Sequence, residues 1–324
     1  METAYLQRKL TQHVLSHLEE QPQALTAQLS TLLHTAIQAA EAAAEVIAEY
    51  RDQPVDVMHK GLGGSKVSDV VTEVDLQCQA EIASRLAPAC EQFGIAFVGE
   101  ESDDHSARLK ANYSWLVDPI DGTLPFIEQR EGYAVSIGLI NQAGEPLLGV
   151  VLDAYHHKLY AAAQGCEPIL PTEQGTESLN GANKLRCFLD AGYQSDSRYE
   201  PVLQQLEAYA FAQGLTGIER IVGLGGALNA CRLLSDVPSG TPSLYLKLPK
   251  DKGGSLWDYA ATAAIFTQQD LPVSDIFGAP LDLNREESTY LNHRGVLYAS
   301  NVALADYMID KLRGLTPAIK GPGP

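Results

Sequence analysis

Four short acidic segments hold the side chains of this 324-residue chain that are best suited to chemistry. Each lies at the end of a predicted strand or at the start of a predicted helix. Carboxylate oxygens are the ligands that hard cations such as Mg²⁺ prefer, which makes these segments candidates for a metal site. The segments are VTEVD at 71–75, VGEES at 98–102, WLVDPIDGT at 115–123 and LWD at 256–258.

The third segment is the most informative of the four. Pro119 fixes one φ angle, and a turn here can bring the carboxylates of Asp118 and Asp121 to the same side. Gly122 lets backbone N–H groups approach an anion closely, and Thr123 offers a hydroxyl beside them. Carboxylates followed directly by backbone donors suit a phosphate held by magnesium. The alternative is a plain turn, because Asp-Pro and Asp-Gly are common turn dipeptides.

The other segments also have simpler explanations when each is taken alone. Adjacent acids such as Glu100 and Glu101 usually belong to a solvated surface. Trp257 and Asp258 could form a helix N-cap beside a core aromatic residue. Taken one at a time, these segments leave both explanations open.

The elements that must position these residues differ between the two halves of the chain. Residues 1–50 predict helices with one apolar stripe, and 51–66 predict a Pro/Gly-rich connection. A further helix is expected to begin near Asp75 and to stop at Pro88. Short β-type runs follow, at 95–98, 114–117, 133–140, 146–153 and 158–163.

The second half alternates between helix and strand patterns, which is α/β texture. The polar, turn-rich residues 164–183 predict a boundary, so we expect an α+β half over 1–175 and an α/β half over 176–324. Helices are expected near 198–213, 227–235, 257–268 and 302–313, and strands near 217–222, 243–248 and 295–300.

The composition excludes several classes of protein. The chain has 41 Asp and Glu against 23 Lys and Arg, a formal charge of −18. Such a surface repels nucleic-acid polymers and anionic membranes. Hydrophobic residues make up 45% and charged residues 20%, which is typical of a globular protein.

The cysteines and the apolar pattern indicate a compartment. The five cysteines are scattered without a CxxC pair, which favours reduced thiols over a disulfide scaffold. The sequence shows neither an apolar signal region near Met1 nor a run of about 18 apolar residues. A cytoplasmic protein is the expectation. The sequence also lacks a complete GxGxxG fingerprint, a GK[ST] P-loop and a GxSxG elbow. These absences argue against a Rossmann dehydrogenase, a P-loop nucleotide hydrolase and an α/β-hydrolase.

In this order, the four acidic segments resemble the inositol monophosphatase superfamily of magnesium-dependent, lithium-sensitive phosphatases. The resemblance covers about residues 40–305 and includes the GEES, WLVDPIDGT and WDYAA motifs. Two further stretches, Ala134–Leu139 and GVVLDAYHHKLYAA at 149–162, also fall where that family has its motifs. The resemblance implies a five-layer αβαβα sandwich with the active site in the cleft between the halves.

The resemblance also implies roles for individual residues. Glu100, Asp118 and the Ile120 carbonyl would bind a first Mg²⁺, and a third, weaker ion would lie near Glu100. Asp118, Asp121 and Asp258 would bind a second Mg²⁺. Asp75 and Thr123 would form the dyad that orients and deprotonates the attacking water. The amides of Gly122 and Thr123 would donate hydrogen bonds to the phosphate. The reaction implied is in-line attack of a metal-activated water, without a phosphoenzyme.

Features of the second half favour one branch, the 3′(2′),5′-bisphosphate nucleotidases. The Gly225–Asn229 stretch resembles their glycine-rich helix start, with Gly226 and Ala227 as substrate contacts, and 278–297 resembles their closing segment. Lys247, Lys250 and Lys252 would suit a second substrate phosphate, although each could equally lie in a solvated loop. We therefore expect hydrolysis of 3′-phosphoadenosine 5′-phosphate to AMP.

Alternatives remain open at this stage. An inositol-1-monophosphatase or another sugar-phosphate phosphatase is the first alternative, and a non-catalytic relative that binds metal or phosphate is another. The chain departs from the family pattern at Pro125, where Asn is usual, and at Thr267–Asp270, where a glycine turn is usual. The superfamily contains monomers and homodimers, so the resemblance allows either state.

Overall fold

A long helix, α1 (Pro22–Tyr50), is the first element in the part of the chain that the computed structural model describes. The described residues are 22–51, 57–59, 70–102, 105–171, 183–250 and 252–315. The predicted apolar stripe is confirmed from Leu29 onwards, with Leu33, Ala40 and Ile47 buried on one face. The helical region predicted before residue 22 lies outside the described residues.

Helix α2 (Glu73–Phe93) packs against α1 and extends beyond the predicted stop. The expectation that Pro88 would end it is wrong. Proline removes the N–H that would bond to the Ser84 carbonyl, but both residues are exposed, so water can satisfy that carbonyl. Leu86 and Ala89 remain buried in the core, and their packing keeps the last turns helical.

The first large sheet contains five strands in the order β3-β4-β5-β6-β7. Strands β3 and β4 are parallel, and the other neighbours are antiparallel. These strands confirm the five predicted β-type runs. They are β3 (Ile95–Gly99), β4 (Tyr113–Asp121), β5 (Ala134–Asn141), β6 (Pro146–Asp153) and β7 (Lys158–Ala163). A separate antiparallel pair, β1 (Val57–His59) and β2 (Val70–Thr72), begins in the region predicted as a connection.

The second large sheet has the order β11-β12-β10-β8-β9. Strand β8 is parallel to β9 and to β10, and β12 is antiparallel to its neighbours. The strands are β8 (Leu185–Leu189), β9 (Ile218–Val222), β10 (Ser243–Lys247), β11 (Val273–Ser274) and β12 (Val296–Ala299). Strands β8 and β11 were not predicted.

Five more helices complete the described part of the chain: α3 (Thr123–Ile127), α4 (Tyr199–Ala212), α5 (Gly226–Cys231), α6 (Leu256–Gln268) and α7 (Val302–Gly314). The predicted helix near 227–235 is shorter, because 232–235 form a 3₁₀ turn. Helix α6 ends without the family's glycine, and Asp270 instead adopts the positive φ of 53°.

Five layers of helices and sheets pack around three hydrophobic cores. The first core lies between α1, α2 and one face of the first sheet. The second lies between the two sheets and contains α5 and α6, and the third lies between the second sheet and α4 and α7. The predicted five-layer αβαβα sandwich is confirmed. The predicted division at residue 175 falls among residues outside the described ranges and stays a prediction.

No helix in the described ranges is both long enough and apolar enough to cross a bilayer.

Candidate active site and metal centre

Strand β4 ends in a bulge that brings two predicted metal ligands onto one face. Asp118 lies opposite Ser136, whereas Asp121 lies opposite Ala134, so three steps along β4 match two along β5. Residues three apart in a regular strand point to opposite faces, and one extra residue reverses this. The Asp118 carboxylate accepts a hydrogen bond from the Ile120 N–H at 3.1 Å. Both aspartates are buried.

Gly122 and Thr123 make the turn from β4 into α3. Gly122 has φ +89°, and a Cβ there would lie 2.5 Å from the Gly132 carbonyl oxygen, so the position requires glycine. The Thr123 hydroxyl donates to the carbonyl of Ile120 at 3.2 Å. This hydrogen bond joins two residues that the sequence predicted for the site, Thr123 and Ile120.

The loop after β3 carries Glu100 and is held by two residues that the sequence did not reveal. The Glu101 N–H donates to Gln79 Oε1 of α2 at 2.8 Å. The His105 ring lies 3.0 Å, through Nε2, from the Gly99 carbonyl, and its centroid is 5.0 Å from that of Trp257. His105 therefore connects the Glu100 loop to the beginning of α6.

Asp258 lies in the first turn of α6, where it serves partly as a cap. Its Oδ2 accepts a hydrogen bond from the Ser255 N–H at 3.0 Å. The preceding carbonyl, that of Trp257, accepts from the buried Ser136 hydroxyl of β5 at 3.1 Å. The capping explanation and the site explanation are both compatible with this geometry.

The beginning of α5 binds the carboxylate of Asp121. The N–H groups of Gly226 and Ala227 donate to its two oxygens at 3.0 and 2.7 Å. A Cβ on Gly225 would lie 2.5 Å from Asp121 Oδ2, which explains the glycine there. Gly226 and Ala227, which were predicted as substrate contacts, thus donate their N–H groups to Asp121. A Cβ on Gly226 would lie 3.8 Å from Asp121 Oδ1 and 4.0 Å from the Asp258 Cβ, so these two side chains are neighbours.

Burial and mutual repulsion make the carboxyl groups of this cluster hard to ionise. Burial, followed by repulsion from Glu100, Asp121 and Asp258, raises the pKa of Asp118 well above its ordinary value. Burial raises the pKa of Asp121 to about 7, although the two α5 amides oppose the shift. Burial, then Asp121 and Glu100, raises the pKa of Asp258 as well. Such a group of acids is stabilised by a nearby cation.

The donor set fits a hard divalent cation. Glu100, Asp118, Asp121, Asp258 and the Ile120 carbonyl offer oxygen atoms, the ligand type of Mg²⁺. No three Asp, Glu, His or Cys side chains among the described residues form a ready-made cage. The fit therefore rests on the burial and mutual repulsion of the acids, which a cation would relieve.

These pKa shifts predict how the metal-free protein responds to pH. Folding raises the pKa of Asp121 from 3.8 to about 7, so the folded state binds the proton more tightly than the unfolded state. This contribution to stability is complete below about pH 4 and is lost as the pH rises towards 7. In a chelator the Tm should therefore fall between pH 4 and 7, and millimolar Mg²⁺ should restore it at pH 7.

Melting curves by circular dichroism, with EDTA and with Mg²⁺ at each pH, provide the measurement. The difference between the two Tm series isolates the acid cluster from other titrating groups. A difference that stays constant from pH 4 to 7 would contradict the interpretation.

A partly buried lysine, Lys247, lies within electrostatic reach of the acid cluster. Lys247 ends β10, and its ammonium lies 2.6 Å from Asp190 Oδ2 and 5.9 Å from the centroid of the Tyr259 ring. Burial alone would lower the pKa of Lys247, but Asp190, Tyr259 and Asp258 together raise it, so the side chain is cationic. Its positive charge partly opposes the rise in the pKa of Asp121 and of Asp258.

The other two predicted lysines, Lys250 and Lys252, lie farther along the chain, after the end of β10. Lys250 is exposed, its N–H donates to the Asn292 carbonyl, and its ammonium lies beside Gly192. Lys252 is also exposed. Lys250 and Lys252 are thus exposed whereas Lys247 is partly buried, and substrate contact by any of the three stays a prediction.

Asp75, the predicted partner of Thr123, is buried in the first turn of α2. Asp190 was not recognised from the sequence, because the strand that presents it, β8, was not predicted. The available signal was an acidic residue directly after the apolar run 185–189.

Comparison with known proteins is consistent with this geometry. A model of the inositol monophosphatase family matches residues 28–315. The 3′(2′),5′-bisphosphate nucleotidase CysQ of Shigella flexneri is 28% identical over 267 residues, covering 81% of this chain and 97% of that protein. The inositol-1-monophosphatase of Bacillus subtilis is 25% identical over 237 residues, covering 72% and 80%.

A solved structure shares the fold. The structure of an IMPase from Thermotoga maritima superposes with a TM-score of 0.64 at 18% identity. The superposition covers 89% of this chain and 99% of that one. At this level of identity the likeness concerns the fold alone.

Proposed function

The chain belongs to the inositol monophosphatase family of phosphatases, and from this membership we propose that it is a Mg²⁺-dependent 3′(2′),5′-bisphosphate nucleotidase. The substrate would be 3′-phosphoadenosine 5′-phosphate, cleaved to AMP and inorganic phosphate. The observation that carries the substrate proposal is Lys247, a cation within the electrostatic reach of Asp121 and Asp258. A phosphate next to the scissile one would find its counter-charge there.

The proposed chemistry uses residues from both halves of the chain. Glu100, Asp118, Asp121, Asp258 and the Ile120 carbonyl would hold Mg²⁺. When bound, Mg²⁺ would neutralise the phosphate and lower the pKa of the attacking water.

Four groups of this chain would then act on the water and the phosphate. Asp75 and the Thr123 hydroxyl orient the water, and Asp75 takes its proton. The amides of Gly122 and Thr123 donate to the phosphate oxygens. The water oxygen bonds to phosphorus as the ester P–O bond breaks, the leaving oxygen takes a proton from solvent water to become an alcohol, and Asp75 returns its proton to solvent.

An inositol-1-monophosphatase is the second candidate, because one observation favours it. Asp190 already neutralises Lys247 at 2.6 Å, so the cleft has less net attraction for a second phosphate than Lys247 alone would give. The relative from Bacillus subtilis carries that name. Hydroxyl groups on the leaving group could hydrogen-bond to either member of the Asp190–Lys247 pair.

A substrate panel tests the proposal. Purified protein with Mg²⁺ should release phosphate from 3′-phosphoadenosine 5′-phosphate with a higher kcat/KM than from inositol 1-phosphate or AMP. The same panel with Li⁺ checks the family's sensitivity to that ion. A kcat/KM that is far higher for inositol 1-phosphate would reject the nucleotidase proposal in favour of the second candidate.

The Lys247→Met variant should raise KM for the bisphosphate about tenfold or more and leave kcat within a few-fold, because the change removes a cation but no proposed metal ligand. Steady-state kinetics at constant ionic strength provide the measurement. Lys184→Met is the matched control, since Lys184 is exposed and precedes β8 at the opposite end of the same sheet. Equal effects of the two substitutions would contradict a local role for Lys247.

A further inference from the structure

Asp190 collects donors from two elements beside the cleft. Its Oδ2 pairs with the Lys247 ammonium at 2.6 Å. Its Oδ1 accepts the hydroxyl of Tyr245 at 3.1 Å and the side-chain amide of Asn229 at 3.3 Å. Tyr245 and Asn229 are fully buried, so the acid is held in a fixed position by groups that cannot turn to solvent.

The place of Asp190 in the fold directs this pair towards the cleft. Asp190 follows the last residue of β8, and Lys247 is the last residue of the parallel neighbour β10. The carboxyl ends of parallel strands meet at one edge of a sheet, and ligands bind at such edges. Asp190 raises the pKa of Asp121 through its charge, which locates it within reach of the acid cluster. The Asp190 and Lys247 side chains are 26% and 19% exposed, so both face an accessible space.

The charges then impose a conflict on any substrate with two phosphates. Lys247 is the cation of this network, and its ammonium is already in contact with a carboxylate. A second phosphate that bonds to Lys247 must bring its oxygens within a few ångströms of Asp190. Two anions at that separation repel each other appreciably in a half-buried site. A neutral hydroxyl at the same place meets no such penalty.

We infer that Asp190 is a positioning residue that sets how strongly the cleft discriminates between substrates with one and with two phosphate groups. It acts through Lys247, whose ammonium it orients and whose charge it offsets. This inference rests on the proposed phosphatase function and adds to it the residue that tunes substrate class. An Asn at 190 keeps the acceptor for Tyr245 and Asn229 but removes the charge.

The test compares Asp190→Asn with the unchanged protein on 3′-phosphoadenosine 5′-phosphate and on inositol 1-phosphate. The variant should lower KM for the bisphosphate about tenfold and leave its kcat within about twofold. KM for inositol 1-phosphate should stay within about threefold, because an asparagine at 190 can still hydrogen-bond to a substrate hydroxyl. Where turnover of the bisphosphate is too slow to measure, its Ki against inositol 1-phosphate hydrolysis provides the same comparison.

Two further variants separate this role from general effects. In the double variant Asp190→Asn/Lys247→Met the gain for the bisphosphate should disappear, because the liberated cation is absent. Glu200→Gln, an exposed acid of the same half, controls for the change in net charge. Melting curves check that each variant is folded.

The outcomes distinguish the inference from the proposed function. An unchanged ratio of the two KM values in Asp190→Asn, or a gain that persists without Lys247, overturns the inference. If the unchanged protein prefers inositol 1-phosphate while Asp190→Asn still shifts the ratio towards the bisphosphate, the nucleotidase proposal fails and the inference stands.

Discussion

The Asp121→Asn variant is expected to lose phosphate release by a factor of about 10³ or more. The carboxylate of Asp121 accepts one N–H of α5 on each oxygen. An asparagine would direct its NH₂ group at one of these N–H donors and remove a negative charge from the proposed metal centre. The first effect disturbs the position of the side chain at α5, and the second weakens the charge that would hold Mg²⁺ beside the phosphate.

The measurement is kcat with saturating Mg²⁺, together with Mg²⁺ binding by titration calorimetry. Asp310→Asn is the matched control, because that acid is 76% exposed on α7 and, within the described residues, pairs with its neighbour Lys311. We expect the control to keep its activity and its Mg²⁺ affinity. A fully active Asp121→Asn variant would remove Asp121 from the catalytic centre and would support the non-catalytic use of this carboxylate as a link between β4 and α5.

Residues whose partners lie in the same short segment were accessible from the sequence. Asp118, Gly122 and Thr123 share one strand end and one turn, so their types and order were sufficient to predict where chemistry would occur. The bulge that brings Asp118 and Asp121 onto one face was not predictable in the same way. It depends on how β4 pairs with β5, and that register is a property of the whole sheet.

Residues whose partners come from elsewhere in the chain were missed. Gln79 and His105 have no unusual sequence context, and they matter because α2 and α6 pass beside the Glu100 loop. Asp190 was missed because β8 was not recognised. Without that strand, nothing in the sequence placed the residue at a sheet edge beside Lys247.

The three lysines show the limit of reasoning from proximity in sequence. Lys247 still belongs to β10, and its neighbour across the sheet edge is Asp190. After Pro249 the chain turns away, and Lys250 binds through its backbone to the Asn292 carbonyl. A spacing of three residues therefore separates a half-buried cleft cation from an exposed one, because the strand ends between them.

The depth at which α6 sits on the first sheet determines where Asp258 lies. Gly138 of β5 and Gly149 of β6 are directly opposite each other, and both face this helix. A Cβ on Gly149 would lie 2.0 Å from the Ala261 carbonyl oxygen, and one on Gly138 would lie 2.6 Å from the Ala260 Cβ. The two glycines thus form a flat surface that lets the helix backbone touch the sheet.

Gly149→Ala is therefore expected to destabilise the protein by at least about 2 kcal/mol, because the added methyl meets backbone that cannot move independently of the helix. For a chain of this size we expect the Tm to fall by about 3 °C or more. The displaced helix carries Asp258 with it, so kcat should fall about tenfold or more even below the new Tm.

Melting curves and Mg²⁺ titrations of the folded variant test both parts of this prediction. Gly314→Ala is the matched control, since a Cβ there meets nothing within 4 Å and the residue ends α7 at a negative φ. If the Tm of Gly149→Ala equals that of the unchanged protein, the sheet and the helix can move apart at little cost in free energy. If it is destabilised but keeps full activity and Mg²⁺ affinity, then Asp258 does not depend on the depth of α6. Loss of both together would connect two glycines in the first sheet to the assembly of a site shared by the two halves.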